Sequence, residues 1–426
     1  MAKIVVVGGG WSGVSAAICA RMAGADVTLV EKTDMLLGAG NVGGIFRNNG
    51  RFTAAEEMIQ LGAGMLFEIM DRCALHSGVS FPGHEHASLY DVGRIEPEGR
   101  ELVLQMGIHL MTLSHVMDVV ADQGLLRAVV LDDDTTISAD SFVEATGSSG
   151  PTGNCLRYGN GCSMCIQRCP TFGPRISLTA KCGMKDLVGV GADGTPGVFS
   201  GSCEIDRSSL GDSVRRQLDE AGVAILTTPA EDVDFGKLRR KACVQYARDE
   251  YCTQVILLDT GSAKLMTSYY PQDKLRKVPG LESARYQDPY SGSKGNSVRF
   301  LSVAPCLDTM QSEGVENLFC GGEKGAPLVG HTEAIVTGAL AGHNAARLAC
   351  GKAPVTLPEG LAVGAIIAHA HRRFVSEKHH DERFTFSGGS FFELMKQSGL
   401  YTIDTRLIAE RVKGQGCEKM FAKAIV

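Results

Sequence analysis

The sequence predicts an α/β fold in which a parallel sheet is gathered from distant segments, with a mixed α+β insertion between them and a helical end. Three observations predict it. The chain opens on an apolar run, Lys3 to Val7, then a glycine turn, a helix-length segment from Val14 to Ala23 and a second apolar run, Asp26 to Val30; apolar runs joined by a helix are the pattern of a parallel βαβ unit. A further strand-like run, Ser141 to Ala145, ends in Thr146-Gly147. Near the far end, Asn317 to Glu323 reads as a strand closing on Gly321-Gly322, followed by a glycine-punctuated helix from about Thr332 to Leu348.

The first unit carries the most chemistry. Gly8, Gly10 and Gly13 have the GxGxxG spacing directly after a strand and at the start of a helix, with Trp11 and Ser12 between them, and Glu31-Lys32 follows the second strand. In this context Gly8 allows a tight turn, Gly10 a close approach of backbone to a pyrophosphate, and Gly13 close helix-to-strand packing. The free N–H groups at the helix start favour phosphate, and Glu31 suits ribose hydroxyls. These features together predict a dinucleotide site.

Composition narrows the classes. The 426 residues are 44% hydrophobic and 21% charged, which excludes a disordered chain or a low-complexity fibre. With 42 Lys plus Arg against 48 Asp plus Glu, the net charge of −6 gives no general attraction to nucleic acid, which is not the expected partner. No apolar run reaches the roughly 18 residues of a membrane span. The run Ile4 to Val7 turns into glycines too early for a signal peptide. A cytoplasmic protein without a membrane span is expected.

The segments VVVGGGWSGVSAA with VEK, the ATG at 145–147 and LFCGGE with its following helix resemble the adenine-binding, mid-chain and flavin-binding motifs of FAD-dependent oxidoreductases of the glutathione-reductase-like superfamily. Residues 330–358 are similar to the C-terminal flavin segment of the GidA and folate-dependent tRNA uracil methyltransferase group. The glycine-rich stretch Gly38 to Gly44 and FVEATGSSG also resemble flavoproteins related to fumarate reductase. The resemblance implies one FAD in a discontinuous Rossmann-type domain with an inserted substrate domain. The divisions are then 1–150, the first part of the FAD-binding domain; 151–305, a cysteine-rich loop and the insertion; 306–358, the second part; and 359–426, a helical C-terminal segment.

Carried onto this chain, the resemblance implies that Gly8, Gly10, Trp11, Ser12 and Gly13 hold the pyrophosphate region and Glu31 and Lys32 the ribose end. Gly43, Gly44, Thr146 and Gly147 line the cofactor, Gly322 and Glu323 approach the ribityl and phosphate region, and Thr332 begins the helix aimed at the flavin pyrimidine edge, where negative charge develops on reduction. Glu323 stands where the superfamily often has Asp. His331 is the catalytic candidate, as proton donor or stabiliser of reduced flavin.

Cys155, Cys162, Cys165 and Cys169 fall within fifteen residues, the last three as CxxCxxxCP. This is the tail of a ferredoxin-type run, so an iron-sulfur cluster, 4Fe-4S type favoured, is expected; Cys182 or Cys203 are alternative fourth ligands. A four-Cys zinc site and metal-free redox thiols remain open, although zinc prefers two CxxC knuckles. Isolated Cys19, Cys73, Cys243, Cys252 and Cys350 read as small buried hydrophobes.

The middle of the chain predicts a helix at Arg207–Ala221, a strand at Val223–Thr227, a charged helix around Lys237–Arg248 and a strand at Gln254–Leu258. The basic residues Lys237, Arg239, Arg240 and Lys241 read as a solvated helix face, with a contact to an anionic substrate or RNA as the alternative. Tyr269, Tyr270, Arg285, Tyr286 and Tyr290 divide between core and pocket wall. His84 and His86 are expected on an exposed loop, with pairing on a strand face as the alternative, and His369, His371, His379 and His380 on the surface of a mostly helical end broken at Ser387–Ser390.

The function expected first is an FAD-dependent oxidoreductase with an iron-sulfur centre, passing electrons through the flavin to a small-molecule or redox-protein partner, in a possible homo-oligomer. The alternative is an FAD- and folate-dependent RNA-modifying methyltransferase; against it, Ile45 to Asn49 contains none of the Cys that group carries shortly after its first βαβ unit. A third reading is a noncatalytic electron-transfer subunit. A second GxGxxG for a nicotinamide nucleotide is absent.

Overall fold

The computed structural model describes residues 1–147, 176–191, 194, 198–200, 203–240, 244–267, 271–287, 297–299 and 301–425. Its centre is a five-stranded parallel sheet in the order Leu318–Cys320, Ser141–Glu144, Lys3–Val7, Asp26–Val30, His109–Met111. The four strands read from sequence therefore lie side by side, and the strand from near the end of the chain closes one edge. Alternation within the strands supplies both faces. Ile4, Val6, Val27, Leu29, Val143 and Phe319 join the core under the helices, while Val5, Val7, Val30, Phe142 and Leu318 face a second core. That second core is roofed by a three-stranded antiparallel sheet, Val116–Asp122, Leu125–Leu131 and Thr136–Ser138, through Val116, Leu126, Val129 and Leu131.

The helical face consists of two long elements packed on each other, Trp11–Met22 and His331–Ala349. Their contact is unusually close because two small residues one turn apart carry it. A Cβ on Gly338 would lie 2.1 Å from the Ser12 carbonyl oxygen, and one on Gly342 would lie 2.0 Å from that of Ala16. Ser15 Oγ donates to the Ile335 carbonyl at 2.7 Å across the same seam. The first helix begins at Trp11, so the second half of the glycine fingerprint forms its opening turn.

The insertion forms a four-stranded antiparallel sheet, Cys203–Ile205, Ala263–Leu265, Gln254–Asp259, Val223–Thr227, with helix Asp212–Ala221 on one face. Val255 and Leu257 pack under that helix, whereas Ile256 and Leu258 face Ala87 and Leu89 of strand His84–Tyr90. The insertion is thereby seated on strand His84–Tyr90. The predicted strands match within one residue. The charged helix expected around Lys237–Arg248 is replaced by 3-10 turns, Phe235–Arg240 and Val244–Tyr246; Asp234 accepts from the Gly236 N–H and turns the chain at the point where a helix would begin.

The C-terminal segment is helical, as Ala362–His371, Gly389–Gln397 and Thr405–Gly414, with the break before Gly389 as expected. Buried Glu57 caps the first of these helices, accepting from Ala362 and Val363 N–H at 3.1 and 3.0 Å. The exposed-loop reading of His84 is corrected: it lies on a strand, buried between Phe81 and Tyr246, with ring centroids 4.7 and 4.9 Å away. The surface reading of His371 is corrected as well. It is buried with its two ring nitrogens against Asp308 at 3.0 Å and the Gly325 carbonyl at 2.9 Å.

Replacing Gly338 by Val is expected to destabilise the fold by about 3 kcal/mol or more, because the backbone contact leaves the added side chain no room. Urea unfolding reads this as a lower midpoint at unchanged slope. An unchanged midpoint would mean that the two helices do not touch here.

Candidate functional site: two helix starts beneath a glycine-rich turn

The close helix pair opens two helix starts at the same end of the fold, the second beginning more than a turn ahead of the first, since Ser12 packs on Gly338. Gly10 precedes the first and Gly330 the second, and no side chain caps either. Their opening N–H groups and positive dipole ends are available to an anionic or electron-rich ligand. The fingerprint glycines divide their work. A Cβ on Gly13 would lie 1.7 Å from the Gly8 carbonyl oxygen, and one on Gly8 would lie 2.5 Å from that of Ala145, whereas a Cβ on Gly10 would meet nothing within 4 Å. Gly8 and Gly13 are thus consumed by packing, while Gly10 faces open space where a ligand can run against the backbone.

Glu31, at the end of the second strand, accepts from Gly9 N–H at 2.7 Å through one oxygen and from Thr33 N–H and Oγ at 2.8 and 2.9 Å through the other. A carboxylate has about four lone-pair sites. It can hold the turn and still accept from a ribose hydroxyl. Ser12 Oγ is buried with no partner among the described residues and lies against Gly321 and Gly322. Glu323 and Lys324 follow in a short 3-10 turn, and Thr332 is fully buried in the first turn of the second helix. Thr146 Oγ donates to Glu144 at 3.2 Å, and Gly147 has a left-handed φ of 71°. Lys32 is half-buried.

The glycine-rich stretch folds over this cleft as a 3-10 segment, Gly38–Gly43. Gly40 lies on the Trp11 indole, Gly43 against His331 and the Tyr90 hydroxyl, and Gly44 against Thr260 of the insertion. His331 is 5.6 Å from the Trp11 ring and 5.9 Å from that of Tyr90, centroid to centroid. Trp11 Nε1 and the Tyr90 hydroxyl are buried polar atoms without a hydrogen-bond partner among the described residues, the pattern expected of groups that face a ligand or water. Burial, and secondly the Arg51 guanidinium, push the His331 pKa down to about 3. At neutral pH it is an uncharged imidazole that donates or accepts a hydrogen bond without contributing a positive charge.

Several residues of this region carry no sequence motif. Arg51 pairs with Glu333 at 3.2 Å, both buried. Lys264, on the insertion and buried, pairs with Glu204 at 3.3 Å. Lys324, also buried, donates to Asp186 at 2.5 Å and Ser177 at 2.8 Å and lies 3.6 Å from Glu144. Burial works against this ammonium, but Glu144 and Asp186 outweigh it and raise its pKa.

Cys155, Cys162, Cys165 and Cys169 lie outside the described residues, as do Lys241, Cys243, Tyr269, Tyr270 and Tyr290. Among the described residues, no group of three or more His, Cys, Asp or Glu is arranged to hold a metal ion. The alternative ligands Cys182 and Cys203 are half-buried and buried, and neither is in a disulfide. Cys19, Cys73 and Cys252 are buried as expected, and Cys350 is half-buried. No described helix is long and apolar enough to cross a membrane.

Comparison with known proteins bears on the same architecture. The family model described as Glucose inhibited division protein A matches residues 3–210 and 233–353. Methylenetetrahydrofolate--tRNA-(uracil-5-)-methyltransferase TrmFO of Enterococcus faecalis is 37% identical over 101 residues, which are 22% of this chain and 22% of that protein. Two crystal forms of Aquifex aeolicus GidA share the fold: form II covers 97% of this chain and 76% of its own at a TM-score of 0.64 and 15% identity. Form I covers 97% and 78% at 0.60 and 16%.

The buried neutral His331 has a consequence for stability against pH. The folded chain refuses a proton that the unfolded chain takes up below about 6.5, so the stability that this residue contributes is lost as pH falls from there toward about 3. Wild-type stability is expected to fall more steeply than that of His331→Asn between pH 6 and 4, by up to about 1.4 kcal/mol per pH unit. Parallel stability curves from urea unfolding would show that His331 titrates normally.

Proposed function

The chain belongs to the Glucose inhibited division protein A family, within the GidA- and TrmFO-like group of FAD-dependent proteins, and from that premise we propose that it binds one FAD and uses it to modify tRNA. The observation that carries the cofactor is the open face at Gly10 between two uncapped helix starts, with the unpartnered Ser12 hydroxyl beside it. Gly10, Trp11 and Ser12 would hold the pyrophosphate, with Gly8 and Gly13 shaping the turn beneath it, Glu31 and Lys32 the adenosine ribose, and Gly322 and Glu323 the ribityl side. Gly43, Gly44, Thr146 and Gly147 would line the cleft, and Thr332 and the helix start would face the pyrimidine edge. FAD supplies two-electron transfer, the chemistry needed to reduce a methylene unit to a methyl group on a base. The residues of this chain bind and orient: the Gly38–Gly44 turn and the Trp11, Tyr90 and His331 rings exclude water, and neutral His331 offers a hydrogen bond to the reacting region.

The family match over most of the chain and the TrmFO relative support tRNA modification better than the electron-transfer reading expected first. The iron-sulfur reading rests on the CxxCxxxCP spacing at Cys162–Cys169 with Cys155 alone. Both are separated by one preparation made without oxygen. About one FAD per chain, no iron or sulfide, and 5-methyluridine formed in unmodified tRNA on adding methylenetetrahydrofolate and a reductant support the proposal. About four iron and four sulfide per chain with no tRNA product would restore the electron-transfer reading. Binding of tRNA should weaken with salt at a slope reporting several phosphate contacts.

Gly10→Val isolates the cofactor claim. Because its Cβ meets nothing, the flavin-free chain is expected to keep its thermal midpoint while FAD affinity falls about 100-fold or more, near 2.7 kcal/mol. Undiminished FAD affinity would place the nucleotide elsewhere.

A further inference from the structure

The C-terminal segment does more than close the core. Phe384 lies beside the residues that lead into the His331–Ala349 helix: Val329 N–H donates to the Phe384 carbonyl and Phe384 N–H to that of Pro327, each at 3.0 Å. Glu333, in the first turn of that helix, receives three hydrogen bonds on one oxygen. They come from Thr385 Oγ at 2.7 Å, Phe386 N–H at 2.9 Å and Arg51 Nε at 3.2 Å. Arg51 Nη2 also donates to the Val329 carbonyl at 3.1 Å and to Thr385 Oγ at 3.2 Å. Asn49 Nδ2 reaches the Ser387 carbonyl at 2.9 Å. Three stretches that are far apart in sequence, 49–51, 329–333 and 384–387, therefore meet at one buried ion pair.

A buried ion pair is weak evidence for stability, since desolvation offsets much of its attraction and an apolar replacement often does as well. Its place is informative here. The pair stands at the helix start that carries His331, and it fixes both the residue before His331, Gly330, and the residue two after it. A Cβ on Gly330 would lie 2.1 Å from Arg51 Nη2 and from the second Glu333 oxygen. We propose that Arg51, Glu333 and Thr385 are positioning residues that hold His331 against Trp11 and Tyr90, so that the C-terminal segment is a wall of the site.

The groups around His331 come from every neighbouring element. Trp11 is on the first helix, Tyr90 on strand His84–Tyr90, Ile45 contributes backbone, Thr332 and Glu333 follow it, Arg51 lies on helix Gly50–Gln60 and Lys264 on the insertion. Of the charged groups, Arg51 opposes protonation of the imidazole more than Lys264 does, after burial itself. Removing Arg51 takes away the larger of the two cations that oppose protonation, and loosening the wall lessens the burial that opposes it most, so the protonated ring is favoured.

Trp11 is the only tryptophan of the chain, so its emission reports this site alone. An imidazolium quenches indole emission more than a neutral imidazole does. The inference concerns the cleft of the proposed flavin site, and its test is run on the full chain as purified and again after any flavin is stripped, so that failure to bind FAD leaves it standing. Wild type is expected to give emission that is flat from pH 5 to 8. Arg51→Met should acquire a single titration in that range, absent from Arg51→Met/His331→Asn, while Arg51→Lys stays flat. If Arg51→Met does not fold, Thr385→Val decides: a red-shifted Trp11 emission with a new titration supports the proposal. Folded Arg51→Met with a flat profile, or Thr385→Val with the wild-type spectrum and profile, would overturn it.

Discussion

The site depends on one close contact, the backbone-to-backbone packing of helix His331–Ala349 on helix Trp11–Met22 through Gly338 and Gly342. Side chains at those positions would hold the axes farther apart, and the two uncapped helix starts would no longer share a cleft. Each start alone is a common feature that favours negative charge by a modest amount. Two of them open at one end of the fold, and the Gly321-Gly322 turn that leads toward the second packs on Ser12 of the first. The parallel sheet matters chiefly because it delivers both helices from strands two positions apart, Lys3–Val7 and Leu318–Cys320.

The cleft combines bonds already made with atoms left over. Gly8 and Gly13 are fixed by contact with backbone, and Glu31 is engaged by Gly9 and Thr33. Left over are Ser12 Oγ, Trp11 Nε1 and the Tyr90 hydroxyl, all buried. Fixed geometry around unsatisfied polar groups is the expected state of a preorganised binding site, since binding then does not pay for ordering the walls. The insertion adds Thr260 against Gly44 and the Lys264–Glu204 pair nearby, so both halves of the fold contribute to the region around His331.

The parts legible in the sequence were those written in adjacent residues. The glycine fingerprint, Glu31, the strand ending in Thr146-Gly147 and the helix after Gly330 each announce themselves within about ten positions, and the structure places them together. The buried charge clusters were not legible, because their members are far apart: Arg51 and Glu333 are separated by 282 positions and Lys324 and Asp186 by 138. A lone Arg or Lys in a helix or turn looks like a solvated side chain until its partner is known. One signal was available for Glu333, an acid in the first turn of a helix, where the dipole favours it. His84 and His371 look like surface residues in the sequence for the same reason, because their partners Asn48 and Asp308 come from other segments.

The central claim is that both helix starts hold a single extended dinucleotide beside Trp11. Its most direct test is a titration of flavin-free chain with FAD, FMN and riboflavin, following Trp11 emission. The account predicts stoichiometric quenching by one FAD per chain, with FMN and riboflavin far weaker because they lack the adenosine half that the Gly8–Gly13 turn and Glu31 receive. Equal quenching by all three, or none by FAD, would contradict it.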